Sequence, residues 1–251
     1  MWSVLAQMAP YMEQANVFNS LNFDYPVAYR PTGGGSPFWP FYPANATAMA
    51  TRIALFACPS DGAEAPLAES GPTNYVFCTG DGSPGGDATG ANGAFILGPA
   101  CSLADITDGS STTAAASEQL LGIAGPYSQT TPLPVPSPTA RAFARVAAGP
   151  LDDLACANAP AGWLLNKGAG WWDGDYLNTL YNHHTTPNAL SLDCITYHNP
   201  GWKAARSLHP QGVNTLYCDA HVAYAKNSVD LTVWRALSTR AAGDVISSEA
   251  Y

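Results

Sequence analysis

The residues with most to offer chemically lie in the second half of the chain. The run WWDGD, Trp171 to Asp175, sets two carboxylates beside two indoles, and Tyr176 follows directly. Two suitably separated carboxylates are enough for glycoside hydrolysis, one as acid and the other as base or nucleophile. Asp173 and Asp175 are the first candidates, with Glu118, Asp108 and Asp219 as further ones, and Trp171, Trp172 and Tyr176 would form a floor on which a sugar stacks. The plainer reading of the same run is a buried aromatic cluster ending in an Asp-Gly turn.

Four of the five histidines, His183, His184, His198 and His209, fall in one stretch, and the fifth is His221. Adjacent His183 and His184 point in different directions on most backbones, and no separation matches the helix-face spacing of a zinc peptidase. A metal site built on them needs long-range convergence. The loop Gly80 to Gly93 is a separate candidate: Asp81, Ser83 and Asp87 offer hard oxygens of the kind calcium takes, although the spacing is not that of an EF-hand. A solvated turn explains the same residues. No Gly-x-Ser-x-Gly elbow occurs, so a serine hydrolase would have to assemble its triad by geometry alone.

The elements that would position these groups are clearest near the C-terminus. Ser207 to Arg240 reads as strand, tight turn, strand and helix: Val213, Leu216 and Tyr217 for the first strand, Asp219-Ala220 for the turn, Val222 and Tyr224 for the second. Asp230 stands where a helix N-cap belongs, ahead of Leu231, Val233, Trp234 and Leu237. Met1 to Leu21 has near-helical apolar spacing, with Pro10 set to kink or split it. Arg52 to Cys58, Thr73 to Thr79 and Ala94 to Leu97 read as short strands, and Thr139 to Leu154 as a helix with Phe143 and Val146 inward. Asn22 to Ala50, with Trp39, Phe41 and Tyr42, and Gly125 to Pro138 read as long loops.

Only 12% of the 251 residues are charged, the formal net charge is −9, and Gly 23 and Pro 21 imply many turns. An acidic chain lacks the basic face that nucleic-acid binding requires. The six cysteines, Cys58, Cys78, Cys101, Cys156, Cys194 and Cys218, show no two-residue spacing of a zinc knuckle or redox motif. An even set in a loop-rich chain points to an oxidising compartment. The pairing expected is Cys58 with Cys78, Cys156 with Cys194 and Cys101 with Cys218, although spacing alone does not select among the alternatives.

Several stretches together resemble a prepilin-type family abundant in planctomycetes. They are WSVLAQMAPYMEQANVFNSLNF from Trp2, FACPSDG ending at Gly62, TNYVFCT from Thr73, and LADITDGSSTTAAASEQLLG from Leu103, where Thr112 stands in an Asn slot and Glu118 at the acidic end. YNHHTTPN from Tyr181 and the C-terminal signature complete the set. In that signature a His is followed nine residues on by an Asp-Gly turn; here His209 and Asp219 keep the spacing and Ala220 replaces the Gly.

The resemblance implies a pseudopilin-like head of α+β class, with an N-terminal helix packed on a mainly antiparallel β-sheet and long loop insertions. It is expected as one domain over 1–251, with about 123–205 a loop-rich insertion. In such a family a leader and hydrophobic helix precede the head, so the membrane would be met only through that missing helix. The head would face the periplasm before assembly and then lie outside the cell or at its surface, with pilin-like subunits, cell-surface components or glycans as partners. Pseudopilin heads that hold calcium in a loop strengthen the expectation for Asp81, Ser83 and Asp87. The alternative function is a secreted glycan-acting hydrolase, with Asp173, Asp175, Glu118, His209 and Asp219 as its candidate catalytic groups.

Overall fold

In a computed structural model of the chain, residues 1–28, 42–125, 128–129, 139–147, 149–158, 161–244 and 246 are described. Trp39, Phe41 and most of the stretch 125–138 lie outside them. The elements run α1 (Val4–Met8), α2 (Ala15–Asn19), α3 (Ala46–Met49), β1 (Tyr75–Cys78), β2 (Ala114–Glu118), β3 (Ser128–Gln129), β4 (Phe143–Arg145), α4 (Asp153–Asn158), β5 (Trp163–Leu164), β6 (Leu180–Tyr181), β7 (Asp193–Ile195), β8 (Gly201–Trp202), β9 (Gly212–Tyr217), β10 (Val222–Lys226) and α5 (Leu231–Ala236). Two five-stranded sheets result, ordered β10-β9-β2-β1-β6 and β3-β5-β4-β7-β8. Both are mainly antiparallel, the parallel pairs being β1 with β6 and β4 with β7. The class is α+β, as expected. No helix among the described residues is long and apolar enough to cross a membrane.

The terminal hairpin forms as its sequence requires. Val213, Thr215 and Tyr217 alternate into the interior, while β10 exposes Val222 and Tyr224 as an edge strand. Ala220 N–H donates to the Tyr217 carbonyl across the turn, with Ala220 at φ 73°. The Asp230 carboxylate caps α5, accepting from the amides of Thr232 at 2.8 Å and Val233 at 3.3 Å.

The N-terminal helix is split at Pro10, one of the two outcomes expected there: α1 gives way to a 3₁₀ turn over Ala9–Met12, and Glu13 turns left-handed at φ 60° before α2. Leu5 and Ala6 enter the aromatic cluster around Trp171 and Trp172. Elsewhere tertiary pairing overrides local pattern. The segment before Cys58 is a 3₁₀ turn, Ala54–Phe56, not a strand. Phe143 points inward as expected, but from β4 and not from a helix. The stretch 123–205, read as loop-rich, supplies all five strands of the second sheet and one of the first.

The two sheets meet at a buried carboxylate. Asp193 on β7 pairs with Lys167 and takes Arg206 Nε at 3.0 and 3.1 Å and Arg206 Nη2 at 2.9 Å. It also accepts the Ala204 amide at 3.0 Å. Burial alone would raise this carboxyl; the Arg206 and Lys167 charges outweigh it and hold it at about 2. Burial lowers Lys167 to about 8 in spite of its partner, so the ammonium persists at neutral pH.

A buried ion pair stripped of one member leaves uncompensated charge behind. Asp193→Asn is therefore expected to lose about 3–5 kcal/mol of stability in urea unfolding near neutral pH. In the parent, this contribution is present above the ordinary carboxylate value and is lost as pH falls through about 2. At the hairpin turn the left-handed Ala220 predicts the opposite sign: Ala220→Gly should gain about 0.5–1 kcal/mol in the same measurement, because glycine relieves the Cβ penalty at positive φ.

Candidate functional site

Among the described residues, two groups of three potential ligand side chains come together, each with its ligand atoms within 4.8 Å of one another. One is Asp173, Asp175 and His198. The other is Cys58, Glu118 and His209.

The first group is scaffolding, with Asp175 buried, Asp173 half-buried and the His198 ring on the surface. The segment around Trp2 forms a β-bridge with Asp173, Ser3 N–H donates to the Trp172 carbonyl at 2.9 Å, and the Ser3 hydroxyl donates to the Trp171 carbonyl at 2.6 Å. Asp175 spends both oxygens internally: Oδ1 accepts the Asn178 backbone and side-chain amides at 2.9 and 3.0 Å, and Oδ2 pairs with His198 Nδ1. Asp173 accepts the Asn178 side chain and the Met1 amino group, each at 3.4 Å. The aromatics expected to stack a sugar are interior instead. Trp171 is 0%, Trp172 4% and Tyr176 0% exposed. Their polar ends are taken by the Thr51 carbonyl at 2.9 Å, the Met49 carbonyl at 3.0 Å and the Thr79 hydroxyl at 2.8 Å. A glycan has no face of these rings to reach, and the stacking role is corrected to core packing.

The second group is built from three distant stretches. Cys58 opens the Cys-Pro-Ser-Asp turn, closed by Asp61 N–H to the Cys58 carbonyl at 3.1 Å. That turn is bolted down by Asn74, whose Oδ1 accepts the Cys58 amide at 2.9 Å and whose Nδ2 donates to Asp61 at 2.7 Å. Asp61 is in turn paired with Arg141. Glu118 ends β2, with Oε2 accepting the Asn214 amide at 2.7 Å and Oε1 accepting the Asn214 side chain at 3.2 Å. His209 sits in a loop fixed by the Ser207 hydroxyl, which accepts the His209 amide at 3.1 Å and donates to the Gly212 carbonyl at 2.7 Å. From these positions His209 Nε2 lies 3.1 Å from Glu118 Oε1 and 3.9 Å from Cys58 Sγ. His209 is 27% and Glu118 6% exposed at the side chain, so the group is buried on one flank and open on the other. A cleft of ≈ 340 Å³ passes Cys58, lined also by Asp61, Asn74, Pro72 and Leu121.

The remaining candidates do not join either group. Asp219 closes its own turn, accepting the His221 amide at 3.1 Å and meeting His221 Nδ1 at 2.6 Å. It does not meet His209. Asp108 accepts the amides of Ala242 and Gly243 at 2.7 and 2.8 Å. In the glycine loop, Asp81 accepts the Ser83 amide at 2.8 Å, and Asp87 accepts from Thr89 and from the Asn199 side chain at 2.7 Å. His183 is buried against Trp234, stacked at 3.5 Å, and burial pushes it down to about 3; His184 stacks on Trp202 at 3.7 Å.

Of the expected disulfides, Cys156–Cys194 forms, tying α4 to β7. The other two pairings are corrected, since Cys58, Cys78, Cys101 and Cys218 are free thiols. Cys58 faces His209, whereas Cys78 packs in the core with Tyr181 and Trp234, where burial pushes its thiol up to about 12. Cys101 turns its thiol to the Ser102 carbonyl at 3.5 Å. Sequence spacing alone did not single out Cys58 as a partner of His209 and Glu118; the signal was its place in a motif, which also fits a disulfide.

Burial, and then the neighbouring Asp175 charge, push Asp173 up to about 7. Burial lowers His198, but the Asp175 charge outweighs it and leaves it raised. Both folded values exceed the ordinary ones, so the stability they contribute is complete on the acid side and is lost as pH rises through them. Stability against thermal unfolding is accordingly expected to fall from about pH 5 to about pH 8. Asp173→Asn should flatten that trend and exceed the parent on the order of 2 kcal/mol at the upper end.

No curated protein and no solved structure matches the chain. A family model described as "Protein of unknown function (DUF1559)" matches residues 1–232. Covered over most of its length by that model, the chain belongs to the DUF1559 family.

Proposed function

We propose that this chain is an extracellular, pseudopilin-like head: a structural or adhesive subunit, or one associated with secretion, that works by contact and not by turnover. The observation that carries the reading is the fate of WWDGD. The rings of Trp171, Trp172 and Tyr176 are buried, Asp175 is committed to Asn178 and His198, and Asp173 to the N-terminus and Asn178. The most hydrolase-like stretch of the sequence is thereby spent on holding the fold together.

Three further features support the proposal. The family membership accompanies the patchwise resemblance to prepilin-type chains. The Cys156–Cys194 bond suits an oxidising compartment. A net charge of −9 spread thinly over a chain with 12% charged residues suits a surface that meets other proteins and not nucleic acid. The partners proposed are pilin-like subunits or cell-surface components, and attachment to the membrane would come through a hydrophobic helix ahead of the head. Calcium in the Gly80–Gly93 loop would act within this reading as a brace for a contact loop. The hydrolase alternative has no comparable support.

The test joins this head to a prepilin leader and hydrophobic helix and expresses it in a host with a prepilin peptidase. Leader cleavage and recovery of the protein in sheared surface filaments are the expected outcome. The isolated head should release no chromophore from a panel of chromogenic glycosides. Turnover that Asp173→Asn or Asp175→Asn abolishes would overturn the reading in favour of a hydrolase.

A further inference from the structure

We propose that Cys58, Glu118 and His209 form a binding site for a borderline-soft divalent metal, zinc in the first place, with one coordination position open to the adjoining cleft. The inference rests on how the three ligand atoms are arranged, and it is independent of the role proposed above.

A Cys-His-acid set invites a second reading, a nucleophile with its base and an orienting carboxylate. The geometry argues against it. In such a relay the nucleophile and the acid occupy opposite ring nitrogens, so that one holds the tautomer while the other passes a proton. Here both face the same atom: Nε2 of His209 is 3.1 Å from Glu118 Oε1 and 3.9 Å from Cys58 Sγ. Sulfur, nitrogen and oxygen thus lie within 4.8 Å of one another, close enough to share one ion. Tetrahedral coordination with ordinary zinc bond lengths would separate nitrogen from oxygen by about 3.3 Å and nitrogen from sulfur by about 3.6 Å. The observed nitrogen-to-oxygen and nitrogen-to-sulfur spacings, 3.1 and 3.9 Å, lie close to these values.

The support around the three ligands is of the kind that metal sites use. The Glu118 carboxylate is oriented by Asn214, whose amide donates to Oε2 and whose side chain donates to Oε1, the oxygen that faces His209. The Cys58 turn is held from behind by Asn74 and Asp61. The His209 loop is pinned by Ser207, whose own amide donates to Asn188 at 2.8 Å. Outer contacts of this sort set ligand orientation and affinity. The donor set also chooses the metal: a thiolate with an imidazole suits zinc or cobalt, whereas calcium and magnesium take oxygen. On binding, the Cys58 thiol proton passes to solvent, the sulfur joins the metal, and His209 coordinates as the neutral ring through Nε2. Three protein ligands, of which Cys58 lines the cleft and His209 is part-exposed, leave the fourth position for water or an incoming anion.

The test uses the tag-free chain under reducing conditions, titrated with cobalt(II) and then with zinc(II). One equivalent of cobalt should bind, give a thiolate-to-cobalt charge-transfer band, and be displaced by zinc. Cys58→Ser, a substitution that adds no bulk, should abolish the band and weaken zinc at least about 100-fold, since loss of outer contacts alone costs 10–100-fold. His209→Ala should do likewise while retaining a cooperative thermal transition. The double variant Cys101→Ser, Cys218→Ser should bind as the parent does. Failure to bind one equivalent, or a charge-transfer band that survives Cys58→Ser in a folded protein, would overturn the proposal.

Discussion

The buried Asp193 carboxylate is the constraint on which the rest of the structure depends. It lies on β7 in the second sheet, yet its partners come from elsewhere: Lys167 from the segment between the sheets and Arg206 from the lead-in to β9. A single carboxylate facing two cations in a dry interior stays ionised, because the desolvation cost that would protonate it is exceeded by their combined field. Arg206 adds bonds to the carbonyls of Ala189 at 2.7 Å and Ser191 at 2.8 Å, so every nitrogen of its guanidinium is engaged. Next to this cluster, burial and the Lys167 charge drive Lys203 far down, and its Nζ binds the carbonyls of Tyr176 and Asn178. The interior thus holds three long basic side chains on two kinds of anchor: Lys167 and Arg206 share the Asp193 carboxylate, and Lys203 is held by backbone carbonyls.

That arrangement also places the Cys58, Glu118 and His209 group. The Arg206 amide donates to the Glu118 carbonyl at 2.8 Å, so the residue that grips Asp193 through its side chain grips the end of β2 through its backbone. Three residues further on, the chain reaches His209. Glu118 and His209 are 91 positions apart in sequence, and the short path between them in space runs through Arg206. Just ahead of β1, Asn74 donates to the Gln119 carbonyl and accepts the Cys58 amide. The Cys58, Glu118 and His209 group is thereby mounted on the sheet through β1 and β2, while in the Asp173, Asp175 and His198 group the Asp175 carboxylate is buried and fully partnered.

Legibility in the sequence followed the range of the forces involved. The terminal hairpin and α5 were readable because their signals are local: alternation in Val213 to Tyr217, a turn at Asp219-Ala220, a capping Asp230. The second sheet was not, since its strands are two or three residues long and exist only through distant partners. Phe143 to Arg145 pairs in parallel with Asp193 to Ile195, and nothing within Thr139 to Leu154 announces that. Cysteine pairing failed for the same reason, except where β7 and α4 are brought together. The candidate site was half legible. Glu118 and His209 stood out from their motifs, whereas Cys58 was assigned to a disulfide, and only the fold shows its sulfur directed at the imidazole.

The spacing of His209 and Asp219 invites one explanation and has two. Read along the chain, a His and an Asp at fixed separation look like a working pair, but β9 intervenes and carries them to its opposite ends. At the far end the requirement is on the backbone: the turn needs a residue at positive φ after Asp219, which glycine meets freely and Ala220 meets at φ 73° with strain. At the near end the requirement is chemical: His209 must present Nε2 to Glu118 and Cys58. The separation between them is the length of the strand that joins the two. A chain can therefore replace the turn glycine at a modest cost in stability and leave the chemistry at His209 untouched, which is the state of this sequence.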